Sequence, residues 1–394
     1  MRANKFANFV LIGGLLFFSM VLAYTFYRII YDDLNQNRFV FAVISFVGIV
    51  ICSFAFKLRP DEKINFLVLS SLSIVFAVFF AEVLFRFYLF GWDSFSIEKV
   101  NSVHGLGVSG FVQPSPYPEI VYELKPDLSG YFKMARFETN SQGLRDKEYS
   151  IVRPNNTFRV AVIGDSLTMS SGVNIEMAYH TLLEEKFNQE QKDISFEFIN
   201  FGVGGYYLRQ YLGVIQYKAL KYDPQLILIG FCPSNDHLLP PDRLYQKQFK
   251  PLRKTYPFSE SFLIKQALTL MKSFFKKGEE ENFSERQYRQ EQYMKRIFSK
   301  IGTISKEKNI PVVVAYLSKE NPVPRTQLVK RLVTEKGLHF IDVTTSFHGA
   351  NVSDYRIYAI DFHPNGKANK IFADTIYNYL KNMGFPDSYH FYDS

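Results

Sequence analysis

Cysteine is scarce in this chain: two residues in 394, Cys52 and Cys232. One lies inside an apolar run and the other just after a strand-like segment. A disulfide between them is therefore not expected, and cysteine usage does not identify a redox compartment. His, Cys and the acidic residues form no compact ligand spacing for a metal ion. The formal charge of +8 comes without an aromatic–basic repeat or a recognition-helix pattern, so nucleic acid is a poor fit as a partner. The same charge suits a protein facing anionic lipid or polymer. The first apolar run, Phe6–Ile30, lacks a small-residue cleavage pattern followed by a polar mature start. It reads as a retained helix rather than a signal peptide.

Apolar and aromatic side chains are abundant: Phe 40 and Tyr 25 make the chain 17% aromatic. Phe6–Ile30, Phe39–Phe56 and Ile64–Phe90 are long apolar runs within the first 90 residues. They predict three transmembrane helices over residues 1–91. Glu82 and Arg86, four apart in the third run, can pair on one helix face. Arg2 and Lys5 precede the first span, and Lys57, Arg59 and Lys63 lie between the second and third, against Arg28 and Arg38 around the first loop. That bias predicts a cytoplasmic N-terminus. Three crossings would then place everything beyond Phe90 outside the cytoplasm, in the periplasm of a Gram-negative host.

Residues 92–137 read as an extended lead-in, because Pro114, Pro116, Pro118 and Pro126 discourage helices. From 138 to 394 the pattern alternates. Strands are expected at Phe158–Ile163, Phe196–Phe201, Leu226–Phe231, Pro311–Leu317 and Phe340–Val343, and helices at 175–188, 207–220, 324–336 and 367–382. Alternation of this kind predicts a mostly parallel sheet covered by helices on both faces. Ligands then sit beyond the carboxyl ends of the strands, where Ser166, Gly205 and Asn235 fall. Residues 237–310 are too long for an ordinary crossover and read as a helical insertion, with candidate helices at Ser261–Lys277 and about Ser284–Lys308. It is either solvated and packed on the sheet, or a basic cap or membrane-lying surface.

Nucleophilic acyl chemistry is the reading with the most support. Ser166 follows the run Phe158–Gly164 at an expected strand-to-helix turn, where backbone N–H groups point outward. A Ser hydroxyl needs a nearby base. His363 can take its proton, and Asp361, two residues earlier, can fix the imidazole tautomer. A developing oxyanion needs donors: the Ser166 N–H, the Gly205 N–H and the Asn235 carboxamide are the candidates. Asp236 reads as a loop brace. The ordinary alternatives are an N-cap serine, a turn histidine, a flexible glycine turn and an Asx-turn asparagine.

Gly164–Asp165–Ser166–Leu167, Asn200–Gly205, Ser234–Asn235–Asp236 and Asp361–Phe362–His363 occur in an order that resembles the SGNH/GDSL hydrolase superfamily over about residues 138–383. Asn140–Arg145 is similar to a lead-in of some bacterial members. The chain departs from the pattern in placing Cys232–Pro233–Ser234 where a glycine is usual, and Ala368 where many members have Gly. One residue separates Asp361 from His363 where two are commoner; the shorter spacing resembles extracytoplasmic polysaccharide O-acetyltransferase relatives. The resemblance implies a three-layer α/β/α, flavodoxin-like domain and a Ser166–His363–Asp361 triad with Ser166, Gly205 and Asn235 as oxyanion donors. The mechanism needs neither metal nor organic cofactor.

The function expected from these features is a membrane-anchored serine esterase that removes a small acyl group, such as acetyl, from cell-envelope glycan or lipid. Its partners would be that acylated substrate, membrane lipid and envelope-modification proteins. Two alternatives remain: an O-acyltransferase modifying an extracytoplasmic glycan, and a non-catalytic envelope-binding protein that keeps the fold.

Overall fold

The computed structural model describes residues 2–32, 36–103, 110–191, 193–238, 261, 262, 266, 268, 283–319 and 324–386. The chain divides into two compact units, Met1–Gly91 with Phe258–Glu279, and Trp92–Pro257 with Glu280–Ser394.

In the first unit, α1 (Arg2–Asp32), α2 (Gln36–Phe56) and α3 (Pro60–Phe90) pack against one another. Pro60 opens α3, where a missing N–H costs nothing, and Glu62 accepts from the Arg59 N–H at 2.8 Å. Among the described residues, two helices rather than the expected three are long and apolar enough to cross a membrane, Lys5–Ala23 and Glu62–Phe95. Among the described residues the apolar stretch found within α2 is Ser45–Phe56, shorter than the roughly 20 residues that span a bilayer core. The three-span arrangement is corrected accordingly. The extracytoplasmic placing of the rest of the chain, which depended on an odd number of crossings, falls with it. The Glu82–Arg86 pair does form, at 2.6 Å and buried. Glu82 also accepts from Ser261 Oγ (2.7 Å) and the Phe262 N–H (3.0 Å), and the Arg86 guanidinium lies over the Phe262 ring. Most of the Ser261–Lys277 helix expected from the sequence lies outside the described residues.

The second unit is built on five parallel strands: β5 (Thr157–Gly164), β6 (Ser195–Asn200), β7 (Leu226–Phe231), β8 (Val312–Tyr316) and β9 (His339–Asp342). Their spatial order is β6-β5-β7-β8-β9, in which the chain reverses direction across the sheet beside β5. Every residue of β5, β7 and β8 is buried, as expected for strands covered on both faces. Alternation sorts their side chains. Val160, Val162, Leu226 and Leu228 join one core with α5 (Tyr179–Glu190) and α9 (Gly366–Asn382). Ala161, Ile163, Ile227, Ile229 and Phe231 join the other with α6 (Leu208–Tyr217), α7 (Phe283–Lys308) and α8 (Pro324–Thr334). The expected helix near Ser284–Lys308 is thus α7, whose Met294, Ile297, Phe298 and Ile301 make it the crossover covering the sheet.

The lead-in carries structure of its own. After the short α4 (Ile97–Asn101) come the antiparallel pairs β1 (Val112–Pro114) with β2 (Tyr122–Leu124) and β3 (Ser129–Phe132) with β4 (Ala135–Glu138). Phe111, Ile120, Tyr122, Phe132 and Phe137 lie in the same core as the α6–α7 face. Arg159, buried in β5, pairs with Glu197 at 2.6 Å and donates to the carbonyls of Ile151, Tyr222 and Ser150. It fastens the last stretch before β5 to the bottom of the sheet.

Candidate active site

Three neighbouring strands deliver the site. β5 ends at Gly164, β6 at Asn200 and β7 at Phe231, and the loops that follow carry Ser166, Gly205 and Asn235. Gly164 is required by close approach: a Cβ there would stand 2.0 Å from Thr168 Oγ1. The chain beyond it folds back as turns, with Met169 N–H donating to Asp165 O, Ser170 N–H to Leu167 O and Ser171 N–H to Ser166 O. No helix begins at Ser166, contrary to the expectation from sequence; α5 starts only at Tyr179. Two features explain this. Ser170 takes a left-handed φ of 55°, and the carbonyls of Met169, Ser170 and Val173 accept from the Arg145 guanidinium.

Ser166 Oγ lies 2.9 Å from His363 Nε2, and His363 Nδ1 lies 2.5 Å from Asp361 Oδ1. Asp361 and His363 belong to β11 (Asp361–Pro364), paired antiparallel with β10 (Arg356–Tyr358). Alternate residues of a strand share a side, and the His363 N–H donates to the same Asp361 oxygen at 3.0 Å. Burial pushes the Asp361 carboxyl up, but the hydrogen bond and charge of His363 and then the Lys133 ammonium hold it well below the usual carboxylate range. Asp165, fully buried beside Ser166, has its carboxyl pushed up by burial, opposed by hydrogen bonds from the Leu167 N–H, Cys232 and Asn235.

The backbone N–H groups of Ser166 and Gly205 have no acceptor among the described residues. Gly205 is exposed with φ 79°, a conformation that presents its amide without a side chain in the way. Asn235 Nδ2 donates to Tyr206 O at 2.7 Å, tying the loop after β7 to the loop that carries Gly205. Asp236 braces the first of these, accepting from the Cys232 N–H (2.6 Å) and the Tyr211 hydroxyl (3.0 Å). Asn200 links β6 to the Ser166 loop, with Nδ2 donating to Thr168 O at 3.1 Å. Substituting Asn235 by Ala unties the two loops and is expected to lower kcat on an ester about 10²-fold with little change in KM, the cost of misplacing a reacting group by about 1 Å. Steady-state kinetics with a chromogenic acetyl ester would check it.

Two residues that sequence reasoning did not single out are central to the geometry. Arg145 is fully buried and donates to four carbonyls, those of Met169, Ser170, Val173 and Arg136. Burial lowers its pKa to about 10, so it stays charged at neutral pH. Its signal was the Asn140–Arg145 segment, whose Asn140 Oδ1 accepts from the Gln142 and Leu144 N–H groups. Lys133, at the tip of the β3–β4 hairpin, bonds the second oxygen of Asp361; a single lysine in a proline-rich stretch gives no such signal.

Beside Ser166 and His363 lies a cavity of about 710 Å³, walled by Leu167, Phe362, His237, Gln290, Lys319 and Arg325 among others. His237 Nδ1 is buried with no hydrogen-bond partner among the described residues. Burial, helped by the Arg325 charge, lowers the His237 pKa to about 4, leaving it neutral and able to accept.

A hydroxyl, an imidazole and a carboxylate in series define the arrangement of a serine hydrolase. The chain matches no protein-family model and no curated protein. Among solved structures it is similar to a two-domain esterase active on acetylated mannans, at 14% identity and TM-score 0.40 over 59% of this chain and 51% of that one. It is similar to an acetylxylan esterase from Geobacillus stearothermophilus, at 14% identity and TM-score 0.36 over 58% and 94%. It is also similar to an alpha/beta hydrolase enzyme from the metagenome of Lake Arreo, Spain, at 13% identity and TM-score 0.37 over 59% and 97%. The chain thus spans about half the length of the two-domain esterase. The SGNH/GDSL assignment is corrected by these findings: no family model returns it, and these neighbours are described as esterases or as an alpha/beta hydrolase. The physical reason is that its blocks are short. A glycine at a strand end followed by an exposed serine serves any fold that turns a nucleophile out of a parallel sheet, so it marks the chemistry rather than the superfamily. The α/β fold with a parallel core sheet stands; the SGNH fold name and the three spans before it do not.

Proposed function

We propose that the protein is a serine ester hydrolase that removes a small acyl group, acetyl, from a glycan through an acyl-enzyme. The 2.9 Å contact between Ser166 Oγ and His363 Nε2, backed by Asp361, carries the reading. Ser166 Oγ attacks the ester carbonyl as His363 Nε2 takes its proton. The tetrahedral oxyanion is held by the Ser166 and Gly205 N–H groups, with Asn235 supporting their loops through its bonds to Tyr206 O and Asp165. Collapse breaks the bond to the sugar oxygen, which leaves with the proton from His363. Water then attacks the acyl-Ser166 ester, giving a proton to His363; collapse breaks the acyl bond to Ser166 Oγ, which takes that proton back from His363, and the acid departs as acetate. The imidazolium formed in each half is stabilised by Asp361, which stays ionised.

The adjoining cavity supports a sugar as the alcohol portion. Gln287, Gln290, Arg325 and neutral His237 offer hydrogen bonds to ring hydroxyls, while Leu167 and Phe362 present apolar surface to a ring face.

The test is acetate release by the full chain in detergent from acetylated mannan and acetylated xylan, the glycans to try first, compared with chromogenic esters of increasing chain length. Acetate release that falls with longer acyl chains is expected. Acetyl appearing on an added sugar acceptor instead of as free acid would replace hydrolysis by transfer, and no release from any ester would remove the enzymatic reading.

A further inference from the structure

Asp361 has two carboxylate oxygens, and the described structure fills them with different partners. Oδ1 accepts from His363, through both the backbone N–H (3.0 Å) and Nδ1 (2.5 Å). Oδ2 bonds Lys133 Nζ. The same ammonium stands 3.1 Å from His363 Nδ1. With Nδ1 carrying the proton shared with Asp361, this contact cannot be a hydrogen bond into the ring, so it acts as a positive charge beside the imidazole.

Delivering that charge involves an unusual backbone. Lys133 and Met134 form the two-residue turn between β3 and β4, with φ of 49° and 70°. A turn of this hand matches the twist of a hairpin, but Gly, Asn or Asp normally occupies it. Side chains there are disfavoured because Cβ crowds the following carbonyl oxygen. The turn is pinned from outside: Lys133 N–H donates to Ser102 O and Met134 N–H to Ser102 Oγ, both at 2.8 Å. The Lys133 side chain is only 13% exposed.

We infer that Lys133 is a positioning residue of the Ser166–His363–Asp361 system, holding Asp361 by its outer oxygen and setting a positive charge beside the His363 ring. This rests on the proposed hydrolase reading. Two effects run in the same direction. A cation near an imidazole disfavours the imidazolium, and a carboxylate shared with a cation stabilises that imidazolium less. The other groups around His363 do not reproduce it. Ser166 is neutral, Asp165 is a buried carboxyl that favours the imidazolium when ionised, and the Tyr358 phenol near Asp361 is pushed up by burial. Lys319 Nζ is engaged by the carbonyls of Phe362 and Tyr355.

The test uses the full chain in detergent micelles and a fluorophosphonate probe, which labels an activated serine whatever the natural ester. The labelling rate is followed from pH 4 to 9 for wild type, Lys133→Met and Lys133→Arg, with melting temperatures recorded in parallel. Lys133→Met is expected to move the acid limb of the rate up by about one pH unit, and to lower the plateau rate about tenfold as Asp361 loses its outer anchor. Lys133→Arg should keep the limb near its wild-type position. An unmoved limb in Lys133→Met, with or without a lower rate, would reduce Lys133 to a structural part of the hairpin and overturn the inference alone. Absence of labelling in wild type at any pH would remove the hydrolase reading itself, and this inference with it.

Discussion

Replacing Ser166 by Ala is expected to lower ester turnover by roughly 10⁴ to 10⁶-fold and to abolish labelling by a fluorophosphonate. The melting temperature should stay close to that of wild type. Stability and activity separate because of how the side chain is held. Ser166 is only partly buried; its hydroxyl contacts His363 Nε2 and, weakly, Asp165 Oδ2 at 3.5 Å. Removing one oxygen therefore opens no apolar cavity and strands no fully buried polar group. His363→Ala should reach the same floor. The double variant should be no worse than either single one, since nucleophile and base act as a unit. Turnover retained in Ser166→Ala would place the chemistry elsewhere.

The parts of this molecule legible in the sequence are those written in local pattern. The five core strands and the helices between them lie within a few residues of where alternation placed them, because a parallel strand buried on both faces is a continuous apolar run whatever surrounds it. The contact between Ser166, His363 and Asp361 was legible for a different reason. Ser166 lies just beyond the end of a core strand, while Asp361 and His363 alternate along β11 of the separate β10–β11 pair, immediately before α9. Two things were not legible. The turns after Ser166 replace a helix because a distant guanidinium occupies the carbonyls a helix would use, and no window around residue 166 contains Arg145. Lys133 reaches Asp361 across 228 positions of sequence from a hairpin whose turn has none of the residues that announce one.

Arg145→Met is the change with the largest expected effect on stability. The guanidinium is 2% exposed as part of the whole residue and stacks over the Phe137 ring at 4.8 Å. Among the described residues no carboxylate is hydrogen-bonded to it; backbone carbonyls provide the compensation. Met fills much of the volume but leaves those carbonyls without their donor. Breaking a buried charged network of this kind costs about 3–5 kcal/mol, which for a domain of this size corresponds to a fall in Tm of roughly 10 °C. Lys should recover only part, because one ammonium has three donors about a single nitrogen, whereas the guanidinium reaches four carbonyls from two separated nitrogens. The effect on chemistry is a separate matter. Met169 and Ser170 lie three and four residues beyond Ser166, so freeing their carbonyls lets the turn behind the nucleophile relax. A displacement of about 1 Å there is enough to cost about 10²-fold in rate. Thermal melts together with kcat measured well below the lowered Tm distinguish the two roles. A lower Tm with unchanged kcat would make Arg145 a fastener of the lead-in only. If the buried guanidinium sets the position of the Ser166 turn, both quantities fall and Lys restores them in part.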